Sequence, residues 1–366
     1  MQTESRRNWI LTALAAGVVL VGCRDRTESS GSAPSAGSTQ AVVATEQKVS
    51  LTGAGATFPY PLYSKWISEY GKANPNVRIN YQSIGSGAGI RQIIAETVDF
   101  GASDAPMKDE EAKDAKGKLV HIPTTLGAVV LAYNLPGVKL RLDAQTITGI
   151  FLGDITKWND AVIKALNPEA SLPDTAIVPT FRSDGSGTTA VFTDYLAGAS
   201  PVWKEKVGQG KSVSWPKGLG AKGNEGVTGQ VKTTPGALGY IEAVYAEQNK
   251  LSVAELKNPA GNFVTATGAA VTAAAEGVQL PDTLYASITN SPQPGAYPIA
   301  AYTYLLVYED AKDAAKGKAI AKFAWWALTD GQAYAADLNY APLPASVAAK
   351  VKDKLKTLHH GGQGLL

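Results

Sequence analysis

Residues 49–70 read VSLTGAGATFPYPLYSKWISEY. The first three residues are typical of a strand, and Leu62, Trp66 and Tyr70 recur every four residues as one face of a helix. A loop of glycines and small residues joins the two segments. A strand that passes through such a loop into a helix is the repeating unit of α/β folds, so this stretch predicts that class.

The loop also has the features of a helix start. We expect Thr57 to be the N-cap of the helix and Pro59 to lie in its first turn. The first turn of a helix leaves backbone N–H groups unpaired and carries about half a positive charge. Glycine lets a ligand approach the backbone closely. Such a loop is therefore suited to bind an anion.

Two further loops repeat this design. Residues 84–89, IGSGAG, lie between a strand-like and a helix-like run, and residues 182–189, RSDGSGTT, precede another apolar helix face. A single loop of this kind indicates little, because capped glycine turns are common in α/β proteins. Three of them, with Arg182 and an aspartate nearby, favour an oxyanion site. None matches a nucleotide-binding motif in its spacing.

The rest of the chain fits a two-domain α/β protein. Strand-like runs alternate with helix-like runs along 366 residues, of which 45% are hydrophobic and 18% charged. The formal net charge of +2 and the lack of a basic stripe argue against nucleic acid as a partner. The strand-like runs are 77–81, 128–133, 177–181, 238–240 and 302–308.

The N-terminus predicts export and lipid attachment. Residues 1–22 combine a basic pair with an apolar stretch of about 13 residues, which suits a cleaved signal peptide and is shorter than the roughly 20 residues of a membrane span. Cys23, the only cysteine, ends the sequence LVGC, which resembles a bacterial lipobox. Residues 23–47 are rich in small polar residues and should form a flexible tether.

Longer motifs carry a resemblance to a known family. They are LTGAGATFP (51–59), QIIAETVDFGASDAP (92–106), SDGSGT (183–188), the segment 215–239, and ADLNYAPLP (336–344). At these positions the sequence resembles the PstS family, the phosphate-binding components of the bacterial phosphate-specific ABC importers. The resemblance covers nearly all of residues 49–350.

The resemblance implies a two-lobed periplasmic binding protein of type II, with the ligand in a cleft between the lobes. The chain is expected to cross a hinge more than once, so that residues 49–123 and 297–366 form one lobe and residues 124–296 the other. The implied phosphate ligands are Thr57, Phe58, Ser86 and Asp104 from the first lobe, and Arg182, Ser186, Gly187 and Thr188 from the second.

Each implied ligand has an expected role. Arg182 should donate charge-assisted hydrogen bonds to phosphate oxygens, and Asp184 should orient and partly neutralise its guanidinium. The hydroxyl groups of the ligand set and the N–H groups of Phe58, Gly187 and Thr188 should supply further donors. We expect neither a metal nor another cofactor.

Asp104 is expected to determine selectivity. A carboxylate beside a dianion is repulsive unless the ligand brings a proton to share, and phosphate at neutral pH carries a proton whereas sulfate carries none. A buried group that accepts a ligand hydroxyl can reject an analogue without it by up to about 10⁴- to 10⁵-fold. We therefore expect phosphate to be preferred over sulfate and Asp104→Ala to lose that preference.

The predicted function is capture of inorganic phosphate outside the cytoplasmic membrane, by lobe closure, and delivery to the permease subunits of an ABC importer. The chain should be a monomer, anchored by lipid in the periplasm or at the cell surface. A phosphatase using the same loops is the alternative from another class, and a sensor or adhesion lipoprotein is a third. His121 is expected to be a packed structural residue, and residues 359–366 to be a flexible tail.

Overall fold

The computed structural model describes residues 48–366. The predicted signal peptide, Cys23 and the predicted tether lie outside the described residues. Within residues 48–366, none of the helices combines the length and the apolar character that crossing a bilayer would require.

Strands and helices alternate along the described chain. The strands are β1 Val49–Gly55, β2 Val77–Ser83, β3 Phe100–Ser103, β4 Leu119–Tyr133, β5 Arg141–Leu142, β6 Val178–Arg182, β7 Leu219–Ala221, β8 Ala237–Glu242, β9 Ser252–Val253, β10 Glu255–Lys257, β11 Phe263–Val264, β12 Ala300–Tyr308, β13 His359–His360 and β14 Gln363–Gly364. The helices are α1 Tyr60–Ala73, α2 Ser86–Ile94, α3 Asp109–Ala112, α4 Ala144–Leu152, α5 Ala161–Leu166, α6 Gly187–Ala199, α7 Pro201–Lys206, α8 Gly223–Thr233, α9 Ala243–Gln248, α10 Gly268–Ala274, α11 Ala314–Ala327, α12 Ala333–Ala336 and α13 Ala345–Lys356. Each strand-like run predicted from the sequence falls on one of these strands.

The main sheet has the strand order β2-β1-β3-β12-β4-β8-β6-β7, and β9 pairs with β4 outside this path. Strand β4 joins its two halves. Residues 119–128 of β4 pair with β12, whereas residues 129–133 pair with β8. We call the half with β1, β2, β3 and β12 the first lobe, and the half with β6, β7 and β8 the second lobe. The chain therefore passes from one lobe to the other within β4, close to the predicted crossing, while the predicted lobe boundaries themselves stay a prediction.

The direction of the strands determines at which edge of the sheet the candidate anion-binding loops lie. In the first lobe β1 runs parallel to β2 and to β3, and in the second lobe β6 runs parallel to β7 and to β8. Because the carboxyl ends of parallel strands meet at one edge of a sheet, the loops that follow them are neighbours. The loops at Thr57, Ser86 and Asp104 share one edge, and those at Ser186 and Asn224 share the other.

Buried aromatic and aliphatic side chains hold these elements in place. On α1 the predicted face of Leu62, Trp66 and Tyr70 is buried. Tyr70 packs edge-on against Phe323 and Trp326 of α11. These packed faces set the position of the helix and so of the loop that precedes it.

His121 has the packed structural role that the sequence predicted. It is buried, its Nε2 accepts a hydrogen bond from the Met107 N–H at 3.0 Å, and its ring meets Tyr285 and Tyr304 edge-on. Burial lowers the pKa of His121 to about 4. The imidazole is therefore a neutral acceptor at physiological pH.

Two local predictions are wrong. Helix α1 begins at Tyr60 with Pro59 at the N-cap position and no side-chain cap, because the Thr57 hydroxyl is engaged by Asn224 instead. Residues 359–366 are not a free tail: β13 and β14 form a hairpin, the Ala311 N–H donates to the His359 carbonyl at 2.8 Å, and Leu365 is buried. The apolar Leu365 gives this segment a reason to fold back on the first lobe.

Candidate anion-binding site

The structure brings the predicted ligand residues together between the lobes. Thr57, Ser86 and Asp104 come from loops of the first lobe, and Arg182 and Thr188 come from the second. All are buried, with at most 4% of their surface exposed. Polar side chains this deeply buried require partners, so the arrangement of donors and acceptors defines what the site can bind.

Arg182 supplies the buried cation. Its Nε and Nη2 donate to the two oxygens of Asp184 at 2.7 and 2.6 Å, a bidentate pair. The Gly223 N–H, at the start of α8, donates to Asp184 Oδ1 at 3.1 Å. Burial opposes ionisation of Asp184, but the hydrogen bonds and charge of Arg182 outweigh it and lower the pKa of this carboxyl. Asp184 thus favours its ionised form and holds the guanidinium in place.

Asp104 lies in a different environment. The Thr303 hydroxyl donates to its Oδ1 at 2.8 Å, and Ser86 Oγ lies 3.4 Å from its Oδ2. It has no cation in direct contact among the described residues. Burial raises the pKa of Asp104 to about 7, against the smaller opposing effects of Thr303, Arg182 and Ser86. The carboxyl is therefore poised to hold or to share a proton near neutral pH.

Asn224 links the two threonine hydroxyls. Its Nδ2 donates to Thr57 Oγ1 at 2.7 Å and to Thr188 Oγ1 at 3.1 Å, and its backbone N–H donates to Thr57 Oγ1 at 3.1 Å. The Glu242 N–H donates to Asn224 Oδ1 at 3.0 Å, which sets the orientation of the amide. Asn224 therefore joins the first lobe to the second.

The helix starts of α2 and α6 face each other across the site. Ser186 is the N-cap of α6, and its hydroxyl accepts a hydrogen bond from the Thr189 N–H at 3.0 Å. The first N–H groups of α6, at Gly187 and Thr188, lack acceptors within the helix. A Cβ atom on Gly187 would come within 2.5 Å of Asp104 Oδ2 and of Ser86 Oγ, so glycine is required there for the lobes to meet.

The lobes are in contact around the site. The Gly87 N–H donates to the Gly185 carbonyl at 2.8 Å, and Lys211 forms a 2.8 Å ion pair with Glu111. The Lys211 carbonyl in turn accepts a hydrogen bond from the Ser186 N–H at 2.8 Å. This arrangement is that of a closed cleft.

A cavity of about 260 Å³ borders Asp104 on another side. It lies between the lobes, and Lys108, Lys211 and Tyr302 contribute to its wall. It is large enough for several water molecules, since one occupies about 30 Å³ in the liquid. Asp104 thus lies between the cluster of donors and a space that water can enter.

Sequence reasoning missed Asn224 and Thr303. Asn224 follows Gly223, which has a φ of +73° and is the first residue of α8, shortly after β7. Asn224 therefore lies at a fourth helix start that is led by glycine. That local pattern could have been noticed. Thr303 lies inside β12, where nothing in the sequence distinguishes a threonine that faces Asp104 from one that merely packs.

Comparison with known proteins agrees with this geometry. A family model, described as the PBP superfamily domain, matches residues 30–330. The phosphate-binding protein PstS of Pasteurella multocida is 45% identical over 318 residues, covering 86% of this chain and 92% of that protein. The PstS protein of Xylella fastidiosa is 43% identical over 350 residues, covering 93% and 95%. The chain belongs to the PstS family.

Solved structures show that the fold of this PstS-family chain is that of the two-lobed binding proteins. A high-affinity periplasmic phosphate-binding protein solved with phosphate bound superimposes with a TM-score of 0.68 at 23% identity, covering 83% of this chain and 93% of that one. A phosphate-binding protein from Stenotrophomonas maltophilia gives 0.65 at 19% identity, with the same coverage. The predicted fold class and the family resemblance are confirmed.

Proposed function

We propose that this PstS-family protein binds inorganic phosphate in the cleft between its lobes and delivers it to an ABC importer. The observation that carries the proposal is the convergence of Arg182, buried hydroxyl groups and the helix starts of α2 and α6 on one closed site that also contains Asp104. A tetrahedral oxyanion with at least one proton matches this mixture of many donors and one acceptor.

The proposed ligands are those expected from the sequence. Arg182 donates to the anion through the part of its guanidinium that Asp184 leaves free. The hydroxyls of Thr57, Ser86, Ser186 and Thr188 and the N–H groups of Phe58, Gly187 and Thr188 complete the set of donors. Because Asp184 already neutralises Arg182, the anion is held mainly by hydrogen bonds and helix dipoles.

Asp104 is the proposed selectivity residue. Its Oδ1 is occupied by Thr303, which leaves Oδ2 to face the anion. An ionised Oδ2 accepts the proton of a phosphate hydroxyl, whereas beside sulfate it meets only an oxygen with negative charge. Burial makes that repulsion costly, since a buried carboxylate is screened less than one in water.

The cellular setting is part of the same proposal. Lipid on Cys23, with residues 24–47 as a tether, would hold a monomeric protein outside the cytoplasmic membrane, where the closed form docks on the permease subunits. The relatives named above are binding proteins, and the roles proposed for the cleft residues involve no chemical change of the ligand. We therefore propose transport binding rather than catalysis.

Isothermal titration tests the proposal. The protein is produced from the full-length chain, stripped of anion, and titrated with phosphate and then with sulfate at one pH and salt concentration. We expect one tightly bound phosphate per chain and no heat with sulfate. Equal binding of both anions would contradict the role of Asp104, and no binding of either would contradict the proposed function.

A further inference from the structure

Two hydroxyl groups in the cleft have a hydrogen that the protein does not use. Thr57 Oγ1 accepts two hydrogen bonds, both from Asn224. Thr188 Oγ1 also has two N–H neighbours, Asn224 Nδ2 at 3.1 Å and Arg182 Nη1 at 3.4 Å. A hydroxyl oxygen has two lone pairs, so each of these oxygens is fully engaged as an acceptor.

The remaining hydrogen of each hydroxyl must therefore be donated elsewhere. Among the described residues, no hydrogen bond donated by Thr57 Oγ1 or Thr188 Oγ1 is present, although both side chains are at most 2% exposed. A buried donor without an acceptor costs free energy. An anion bound in the cleft would supply an acceptor for both hydrogens.

The orientation of Asn224 is itself determined. Its Oδ1 accepts from the Glu242 N–H, which can only donate, so Nδ2 has to face the threonines. Its backbone N–H is free to bind Thr57 because Asn224 is the second residue of α8 and has no acceptor within the helix. Strand β8 and helix α8 thus hold the amide in one arrangement.

We propose that Asn224 is the positioning residue of the cleft, which occupies the acceptor sites of Thr57 and Thr188 and so directs both hydroxyl hydrogens to the bound anion. This inference rests on the proposed function and deepens it. Without Asn224 the two hydroxyls can rotate and donate to each other or to water. With it they are committed donors, and one of them is carried by the opposite lobe, so the contact also forms only on closure.

A double-mutant cycle separates this role from a merely structural one. Phosphate affinity is measured for the wild type, Asn224→Ala, Thr57→Val and the double variant. We expect each single change to weaken phosphate binding about 10- to 100-fold, the range for a hydrogen bond to a charged group. The double variant should be weaker than Thr57→Val only by the part of the Asn224 effect that acts through Thr188, so the two losses should be clearly less than additive.

Thr57→Ser provides the conservative test because it keeps the hydroxyl. Asn224→Ala made in the Thr57→Ser background should therefore weaken phosphate binding as much as it does in the wild type. Asn258 offers a matched control. It is a buried asparagine whose Nδ2 donates to the carbonyls of Pro294 and Ala296 at 2.9 and 3.1 Å, away from the cleft. Asn258→Ala should lower the melting temperature and leave phosphate affinity within about threefold of the wild type, which is a small effect on the scale of a lost hydrogen bond.

Asn224→Asp covers the case in which Asn224→Ala does not fold. It has the same shape, but its carboxylate accepts the hydroxyl hydrogens and turns them away from the anion, so phosphate binding should fall further than in Asn224→Ala. Strictly additive losses in the cycle, or wild-type affinity in either variant of Asn224, would overturn this inference alone. Absence of phosphate binding in the wild type would overturn the proposed function and this inference with it.

Discussion

Two aspartates in the cleft, the buried Asp104 and the partly exposed Asp184, behave in opposite ways. Asp184 makes a bidentate pair with Arg182 and its pKa is lowered, whereas Asp104 receives only hydroxyl contacts and burial raises its pKa to about 7. The same side chain thus serves as a fixed counter-charge in one lobe and as a group that responds to protons in the other. The difference lies in the partners that each loop provides and cannot be found in the residue type.

Glycines from the opposite lobe enforce this contrast. A Cβ on Gly85 would come within 2.3 Å of Asp184 Oδ2, and a Cβ on Gly187 within 2.5 Å of Asp104 Oδ2. Each carboxylate is therefore covered by bare backbone when the cleft is closed. Asp104 is buried whereas Asp184 stays partly exposed, so the charge of Asp104 is the less screened of the two.

The largest effect is expected when the negative charge of one aspartate is removed by substitution with asparagine. In Asp104→Asn the amide oxygen can still accept from Thr303, and Nδ2 replaces the repulsive Oδ2 with a donor. We expect sulfate to bind and the preference for phosphate to fall by up to about 10⁴-fold, as for a site that loses the acceptor of a ligand hydroxyl. Competition titration of sulfate against phosphate measures the ratio.

Asp184→Asn is the matched control for that change. It removes the same charge from the other aspartate, which pairs with Arg182 and is not among the proposed ligands. We expect a loss of at most about tenfold for both anions alike, because the guanidinium is held less firmly, with the preference for phosphate retained. A lost preference in Asp184→Asn, or a retained one in Asp104→Asn, would contradict the division of roles.

The second test breaks the Arg182 pair. Arg182→Met removes the buried cation of the site and leaves the partly exposed Asp184 without its partner, and loss of a buried charged group at a binding site costs about 2–5 kcal/mol. We expect phosphate affinity to fall by about 10³-fold in calorimetry. Adding Asp184→Asn to this variant should restore part of the affinity, since the uncompensated charge is removed.

The third test uses pH. Sulfate can accept a hydrogen bond from Asp104 only when that carboxyl carries a proton, so sulfate binding must take up a proton. As pH falls from 8 to 6, through the pKa of about 7, sulfate affinity should rise by about tenfold in total, because the protonated fraction of Asp104 rises over that range. Phosphate brings its own proton and should change less. Asp104→Asn should abolish the pH dependence of sulfate binding, and a sulfate affinity that falls with falling pH would contradict the argument.

Much of the site could be predicted from local patterns. The loops at residues 84–89 and 182–189 stand before helices as expected, and Ser186 is a true N-cap. The prediction for Thr57 was wrong because its hydroxyl is held by a residue 167 positions away, a contact that competes with capping and leaves no trace in the nearby sequence. The prediction of a flexible tail was wrong for a related reason, since Leu365 is packed against distant parts of the first lobe.

The sequence by itself determined the family, the α/β class, the glycine-led helix starts and the presence of Arg182 and Asp104, because each of these follows from residues that are neighbours in the chain. Only the tertiary structure decided that Thr303 holds Asp104 and that Asn224 engages both threonines. Those facts depend on β4, which carries the chain from one lobe to the other and lets loops far apart in sequence meet at the facing edges of one sheet. Burial, hydrogen-bond direction and charge state arise only from that meeting.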